Sequence, residues 1–104
     1  MSSQEAIHYT GGGSSPVTPD PDRFAERGLR PSAWEAGPGA VFPVHRHERT
    51  KLLVCRAGAI RFTLEPSGQA RDLGPGDWIE LPAGQAHAAV AGPAGVRCQE
   101  AFLG

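Results

Sequence analysis

Glycine and proline break this chain into short runs, and that limits the folds open to it more than any other feature. The sequence contains 14 glycines and 10 prolines in 104 residues. Many short strands joined by glycine- and proline-containing turns are typical of an all-β barrel or sandwich. The predicted strands span residues 32–36, 41–47, 51–56, 59–65, 70–73, 77–81, 86–91 and 96–103.

Side-chain alternation predicts which faces of these strands are buried. Within 59–65, apolar residues alternate with polar ones, as expected for a half-buried antiparallel strand. Within 77–81, Ile79 and Leu81 are the expected core pair, which leaves Trp78 on the outer face as a packing or dimer-contact residue. We expect the barrel to be lined by Phe42, Leu53, Ile60, Phe62 and Val90.

The N-terminal part has a different composition. Residues 1–18 are polar and rich in glycine and serine, which predicts a flexible tail before a single β-barrel domain over 19–104. Asp20 can cap a short helix that ends at Gly28, with Phe24 as its anchor onto the barrel.

Length, charge and cysteine content narrow the function classes. A domain of 104 residues buries only about two thirds of its surface on folding, which favours a homodimer. The formal net charge of −1 argues against nucleic-acid binding. The chain shows neither a secretory signal pattern nor a membrane-spanning run, so we expect a cytoplasmic protein. Cys55 and Cys98 are expected to be buried free thiols.

Two histidines one residue apart are the strongest chemical signal. In a strand, residues two apart point to the same face, so the imidazoles of His45 and His47 would project into one space. Imidazole is the commonest metal ligand near neutral pH. His87 is the candidate for a third ligand.

These histidines lie in two stretches that resemble the paired motifs of the cupin superfamily. The first reads Gly, five residues, His-x-His, three residues, Lys, six residues, Gly, and it begins at Gly39. The second begins at Gly76 and reads Gly, five residues, Pro-x-Gly, two residues, His. The resemblance covers residues 37–103 and implies an antiparallel β-barrel of the RmlC-like jelly-roll type, also called a double-stranded β-helix. It also implies a divalent metal, Zn, Fe, Mn, Ni or Cu, bound by His45, His47 and His87.

The chain departs from the family pattern at the usual glutamate ligand, where Lys51 stands. An ammonium roughly 7 Å from a divalent cation would repel it by on the order of 5 kcal/mol at an effective dielectric constant of about 20. Metal binding therefore requires that Lys51 turn away, lose its proton or be offset by an anion, such as Glu48 or a substrate carboxylate. Three other roles are open to Lys51: it could clamp an acidic ligand, form an imine with a substrate, or lie at the barrel rim with its charge in solvent.

The sequence leaves the roles of Glu48 and Glu100 open. Glu48 is a substitute fourth ligand if the chain bends after His47. Glu100 shares strand parity with Cys98 and Phe102, and on an inward face it would need a partner, such as an arginine, or act as an acid or base.

The preferred function is a metal-binding cupin-like protein with a small-molecule pocket beside the three histidines. Whether it is an enzyme is open, and the catalytic residues are unknown; a metal-dependent dioxygenase or isomerase is the enzyme type considered. The alternative is a metal-free protein that binds an acidic metabolite through Lys51 and the histidines. A third possibility is an association module, which predicts a filled barrel without a pocket.

Overall fold

The computed structural model describes residues 8–9 and 24–103, and most of them lie in strands. The predicted all-β barrel is confirmed. Its strands are β1 (His8–Tyr9), β2 (Ser32–Ala36), β3 (Val41–His45), β4 (Thr50–Glu65), β5 (Ala70–Leu73), β6 (Trp78–Leu81) and β7 (Ala86–Leu103).

The two long strands β4 and β7 organise the barrel. They pair with each other antiparallel along most of their length, and every other pairing in the sheet is antiparallel too. The first part of β4 also pairs with β6 and its second part with β5, while β7 pairs with β3 at its start and β2 at its end. Each long strand therefore contributes to both walls of the barrel.

A hydrophobic cluster packs between these walls. Alternate residues of β4 and β6 point into it, which confirms the predicted pair Ile79 and Leu81. Val90 was expected inside, but it is 37% exposed, because its neighbours Ala89 and Ala91 take the inward positions. Cys55 and Cys98 oppose each other between β4 and β7 as buried free thiols, as predicted.

Two predicted turns, at Ala57–Gly58 and at residues 92–95, are instead irregularities within continuous strands. The β4–β7 register shifts between Cys55 and Ala57 and again between Gly58 and Ile60. Gly58 and Gly95 have φ values of 77° and 83°, which L-residues rarely adopt. These glycines let the strands bulge and bend around the core instead of reversing direction.

The segment of residues 24–29, called the N-terminal segment here, packs on the outer face of the sheet. Where a short helix was expected from Asp20, the structure has a 3-10 turn over Ala25–Arg27, ended by Gly28 at φ 68°. Phe24 is buried, as predicted, in a second cluster with Leu52, Val54 and Ala101, against which Leu29 and Trp78 also pack. Trp78 is thus a packing residue on the outer face.

The described part of the predicted tail is a short strand. His8 and Tyr9 pair with Glu80 and Ile79 of β6. The flexible tail over residues 1–18 stays a prediction. The remainder of residues 1–18, and residues 19–23 of the predicted helix, lie outside the described residues.

Candidate metal centre

The fold brings the three predicted histidines together at one end of the barrel. His45 ends β3, His47 follows it in an irregular segment, and His87 lies near the start of β7. His45 and His87 oppose each other in the β3–β7 register. One ligand nitrogen from each of the three rings lies within 4.8 Å of the others, a separation suited to one shared ion.

The two motifs hold each other in place through the backbone. The N–H of Gly84 donates to the carbonyl oxygen of His47 at 2.8 Å. The N–H of Ala83 donates to Oγ1 of Thr50 at 3.2 Å. Pro43 has no backbone N–H to donate to the sheet, and the β3–β7 register shifts between Phe42 and His45. The position of His47 therefore depends on the turn before His87.

Hydrogen bonds select the tautomers of two rings. Nδ1 of His45 lies 2.9 Å from the carbonyl oxygen of Pro43, and Nδ1 of His87 lies 2.9 Å from that of Gln85. A carbonyl oxygen only accepts, so each Nδ1 carries the proton and each Nε2 keeps a lone pair. Metal-binding histidines commonly donate their other ring N–H in this way.

Burial and nearby positive charge lower the pKa of two of the three imidazoles, those of His47 and His87. Burial is the main reason that the pKa of His87 is lowered to about 4; positive charge at His45, Lys51 and His47 acts in the same direction, and the hydrogen bond to the Gln85 carbonyl opposes it. Burial also lowers the pKa of His47, with further contributions from Lys51 and His45. Neutral imidazole is the form that binds metal.

Lys51 points into the barrel and makes an ion pair with Glu100. The residue is 7% exposed, which excludes the barrel-rim alternative. Its Nζ lies 3.3 Å from Oε1 of Glu100, and the same oxygen accepts a hydrogen bond from Nε1 of Trp34 at 2.9 Å. The anion that offsets Lys51 is therefore Glu100, not Glu48, and the partner of Glu100 is a lysine, not the expected arginine.

Strand register explains this pair. Lys51 lies directly opposite Phe102 on β7, so Glu100 is its diagonal neighbour on the same face. Trp34 lies opposite Cys98 in the β2–β7 pairing, so Glu100 is also the diagonal neighbour of Trp34. Strand parity placed Glu100 on the face of Cys98 and left its direction open; the pairing of β2, β4 and β7 shows that this face is inward and which residues Glu100 contacts.

A cavity of about 410 Å³ adjoins the histidines. Its polar lining consists of Glu35, His45, Lys51, His87 and Glu100, and aromatic and aliphatic residues form the rest. The filled barrel predicted for a pure association module is therefore wrong. Trp34, which sequence reasoning did not assign to the site, lines the cavity and contacts Phe42 with ring centroids 5.5 Å apart.

Glu48 does not join the histidine group. Its side chain is exposed in the bend after His47. Among the described residues, the group of ligand atoms within 4.8 Å of one another contains only the three histidines. The bend occurs, but it does not bring this carboxylate to them.

A family model described as the Cupin domain matches residues 33–96 of this chain. No curated protein sequence matches the chain. Among solved structures, a DUF861 family protein from Thermotoga maritima is 16% identical with a TM-score of 0.68, and the match covers 93% of this chain and 99% of that chain. At this identity the likeness shows a shared fold only.

Two other solved structures are more similar in sequence. Oxalate decarboxylase from Bacillus subtilis, which has Mn(II) centres, is 26% identical over 67% of this chain and 19% of its own, with a TM-score of 0.61. KdgF from Halomonas sp. is 32% identical over 67% of this chain and 65% of its own, with a TM-score of 0.56. This chain thus spans about a fifth of the oxalate decarboxylase and just under two thirds of KdgF.

Proposed function

Because this chain belongs to the cupin family, we propose that it binds a divalent metal through His45, His47 and His87, beside a pocket for a small molecule. The likeness to oxalate decarboxylase supports a metal role, since that protein has Mn(II) centres. Zn, Fe, Mn, Ni and Cu are all compatible with three neutral imidazoles.

One observation carries this proposal. Nε2 of His47 and Nε2 of His87 are buried, and neither has a hydrogen-bond partner among the described residues. Leaving a buried polar atom unpaired costs roughly 1–3 kcal/mol, so such atoms ordinarily have a partner. A cation shared with His45 would be that partner, and the Nδ1 bonds of His45 and His87 already present the correct nitrogen. The donor set therefore fits a metal ion.

The surrounding residues would bind and orient a substrate. A metal ion held here would supply Lewis acidity or redox chemistry. Lys51 and Glu100 place one cation and one anion on the cavity wall, where they can fix a polar substrate group. Trp34 and Phe42 cover the apolar side and limit the access of water. A dioxygenase or isomerase is the enzyme type we consider first.

Elemental analysis of untagged protein, purified without chelator, tests the metal site. We expect near-stoichiometric metal in the wild type and loss of that metal in His47→Ala. His8→Ala is the matched control, because His8 belongs to β1, which pairs with β6, and its removal should leave the metal content unchanged. Metal that survives in His47→Ala would contradict the proposed site.

The second candidate function is binding of an acidic metabolite without metal. The observation that favours it is the buried ammonium of Lys51 beside the histidines. A wild type that contains no metal and takes up none of the five candidate ions would favour this function. Ligand binding that disappears in Lys51→Met would then be the supporting result.

A homodimer and a cytoplasmic location stay predictions. No helix in the described part of the chain is long and apolar enough to cross a membrane. Light scattering coupled to size-exclusion chromatography would check the dimer.

A further inference from the structure

Among the described residues that line the cavity, each carboxylate already has a cationic partner and is not free to balance a bound cation. Neutral imidazoles add no charge, and Lys51 and Glu100 balance each other at 3.3 Å. Glu35 also lines the cavity, but its exposed carboxylate is bound to Arg97 at 3.1 Å. A divalent cation at the histidines would therefore be left without a compensating charge in a partly enclosed space, where Coulomb interactions are stronger than in water.

The cavity walls indicate what else the ligand carries. Away from the polar side, the lining is aromatic and aliphatic, from Trp34, Phe42, Leu53, Ile60, Phe62 and Ala89. The volume of about 410 Å³ is at the small end of the range for ligand pockets, roughly 300–1,000 Å³. A compact apolar or aromatic body matches this space better than a sugar or a nucleotide.

Building on the proposed metal site, the geometry points to a small carboxylate with an apolar body as the ligand class, bound jointly with the metal. Its carboxylate replaces the negative charge that is missing where Lys51 stands. An ammonium has three N–H donors, and Glu100 accepts from one of them, so Lys51 can donate another to the ligand. The metal and the carboxylate then bind cooperatively, and each raises the affinity of the other by the same factor.

The test uses Zn²⁺ and benzoate as probes. The affinity of metal-free protein for Zn²⁺ is measured by competition with a chromophoric chelator, first without and then with benzoate. Benzamide is the neutral ligand of the same shape. We expect benzoate to raise Zn²⁺ affinity at least tenfold and benzamide to leave it unchanged. Calorimetry should show the same factor in benzoate affinity when Zn²⁺ is added.

Matched variants assign the effect to Lys51. In Lys51→Met we expect the benzoate effect to disappear. The double variant Lys51→Met with Glu100→Gln removes both charges, so it gives the same test without an unpaired Glu100. Arg61→Gln is the control, because Arg61 is an exposed cation paired with Asp72 outside the cavity. It should keep the full benzoate effect.

The outcomes separate this inference from the metal site itself. Zn²⁺ binding that benzoate does not change, or that benzamide changes equally, overturns the joint binding while the metal site stands. A benzoate effect that persists in both Lys51 variants overturns the role of Lys51. If no Zn²⁺ binds with or without benzoate, the proposed metal function fails and the joint binding fails with it.

Discussion

Nζ of Lys51 and Oε1 of Glu100 lie 3.3 Å apart as diagonal neighbours on β4 and β7. The two side chains are 9% and 22% exposed, so the pair lies largely inside the barrel. Removing one member of a largely buried ion pair leaves the other uncompensated, and this costs more than losing an exposed pair. The pair thus ties the electrostatics of the candidate metal centre to the register of the two central strands.

Glu100→Gln should weaken metal binding when no other anion is present. The amide oxygen can still accept from Trp34, but the charge that offsets Lys51 is lost. We expect Zn²⁺ affinity to fall roughly tenfold, which corresponds to about 1.4 kcal/mol. Glu35→Gln is the control, because Glu35 lines the same cavity but pairs with Arg97. An equal loss in both variants would contradict a specific role for Glu100.

Lys51→Glu restores the acidic residue of the usual motif and should tighten metal binding at least tenfold. The physical reason is that a repulsive cation is replaced by an attractive anion on the cavity wall. Lys51→Met serves as the comparison, since it removes the charge without adding a ligand and should fall between the wild type and Lys51→Glu. If Lys51→Glu binds Zn²⁺ no more tightly than the wild type, the repulsion argument is wrong.

The metal-free protein should lose stability as the pH falls from about 6.5 to about 4. The pKa of His87 is lowered from 6.5 to about 4 in the folded state, so the unfolded chain binds more protons in this window. The contribution of His87 to the free energy of unfolding is fully present above about pH 6.5 and is lost below about pH 4. The shift corresponds to at most about 3 kcal/mol, with 1.36 kcal/mol per pH unit.

Urea denaturation of chelator-treated protein across this pH range measures the effect. His87→Gln removes the titrating ring and should flatten the stability profile between the two limits. A profile of unchanged slope in this variant would assign the acid sensitivity to other groups.

Gly58→Ala should destabilise the barrel more than a positive φ alone explains. A Cβ atom at residue 58 would overlap the carbonyl oxygen of Gly95. The alanine would also have to adopt a φ of 77°, which is unfavourable for an L-residue. Gly28 has a similar φ of 68° with nothing within 4 Å of such a Cβ, which makes Gly28→Ala the matched control. We expect Gly58→Ala to lower the free energy of unfolding by at least about 2 kcal/mol more than Gly28→Ala does.

Phe24→Ala should lower stability by about 3 kcal/mol without changing metal affinity. Phe24 is 1% exposed and belongs to the cluster on the outer face, away from the cavity. Val41→Ala is the control, because Val41 is 71% exposed and its truncation should have little effect. Thermal or urea denaturation measures the loss, and a stable Phe24→Ala variant would show that the N-terminal segment adds little to the domain.

Several features of the site could be predicted because they depend on local patterns. Glycine and proline set the approximate strand limits, and period-2 alternation placed Ile79 and Leu81 inside. The spacing of the two motifs predicted that His45, His47 and His87 converge. Alternation also placed Glu100 on the face of Cys98, without deciding whether that face is inward. Each of these inferences needs only neighbouring residues or a family pattern.

Features that depend on how distant strands pair were decided only by the tertiary structure. Lys51 and Glu100 are 49 residues apart, and their contact follows from the register of β4 against β7. Whether Gly58 and Gly95 turn the chain or bulge it depends on strand pairing too, because Gly58 lies against Gly95 of β7 and Gly95 lies against Ala36 at the end of β2. Sequence alone determined which side chains could face the site; strand register, set by packing of the whole core, decided which of them meet.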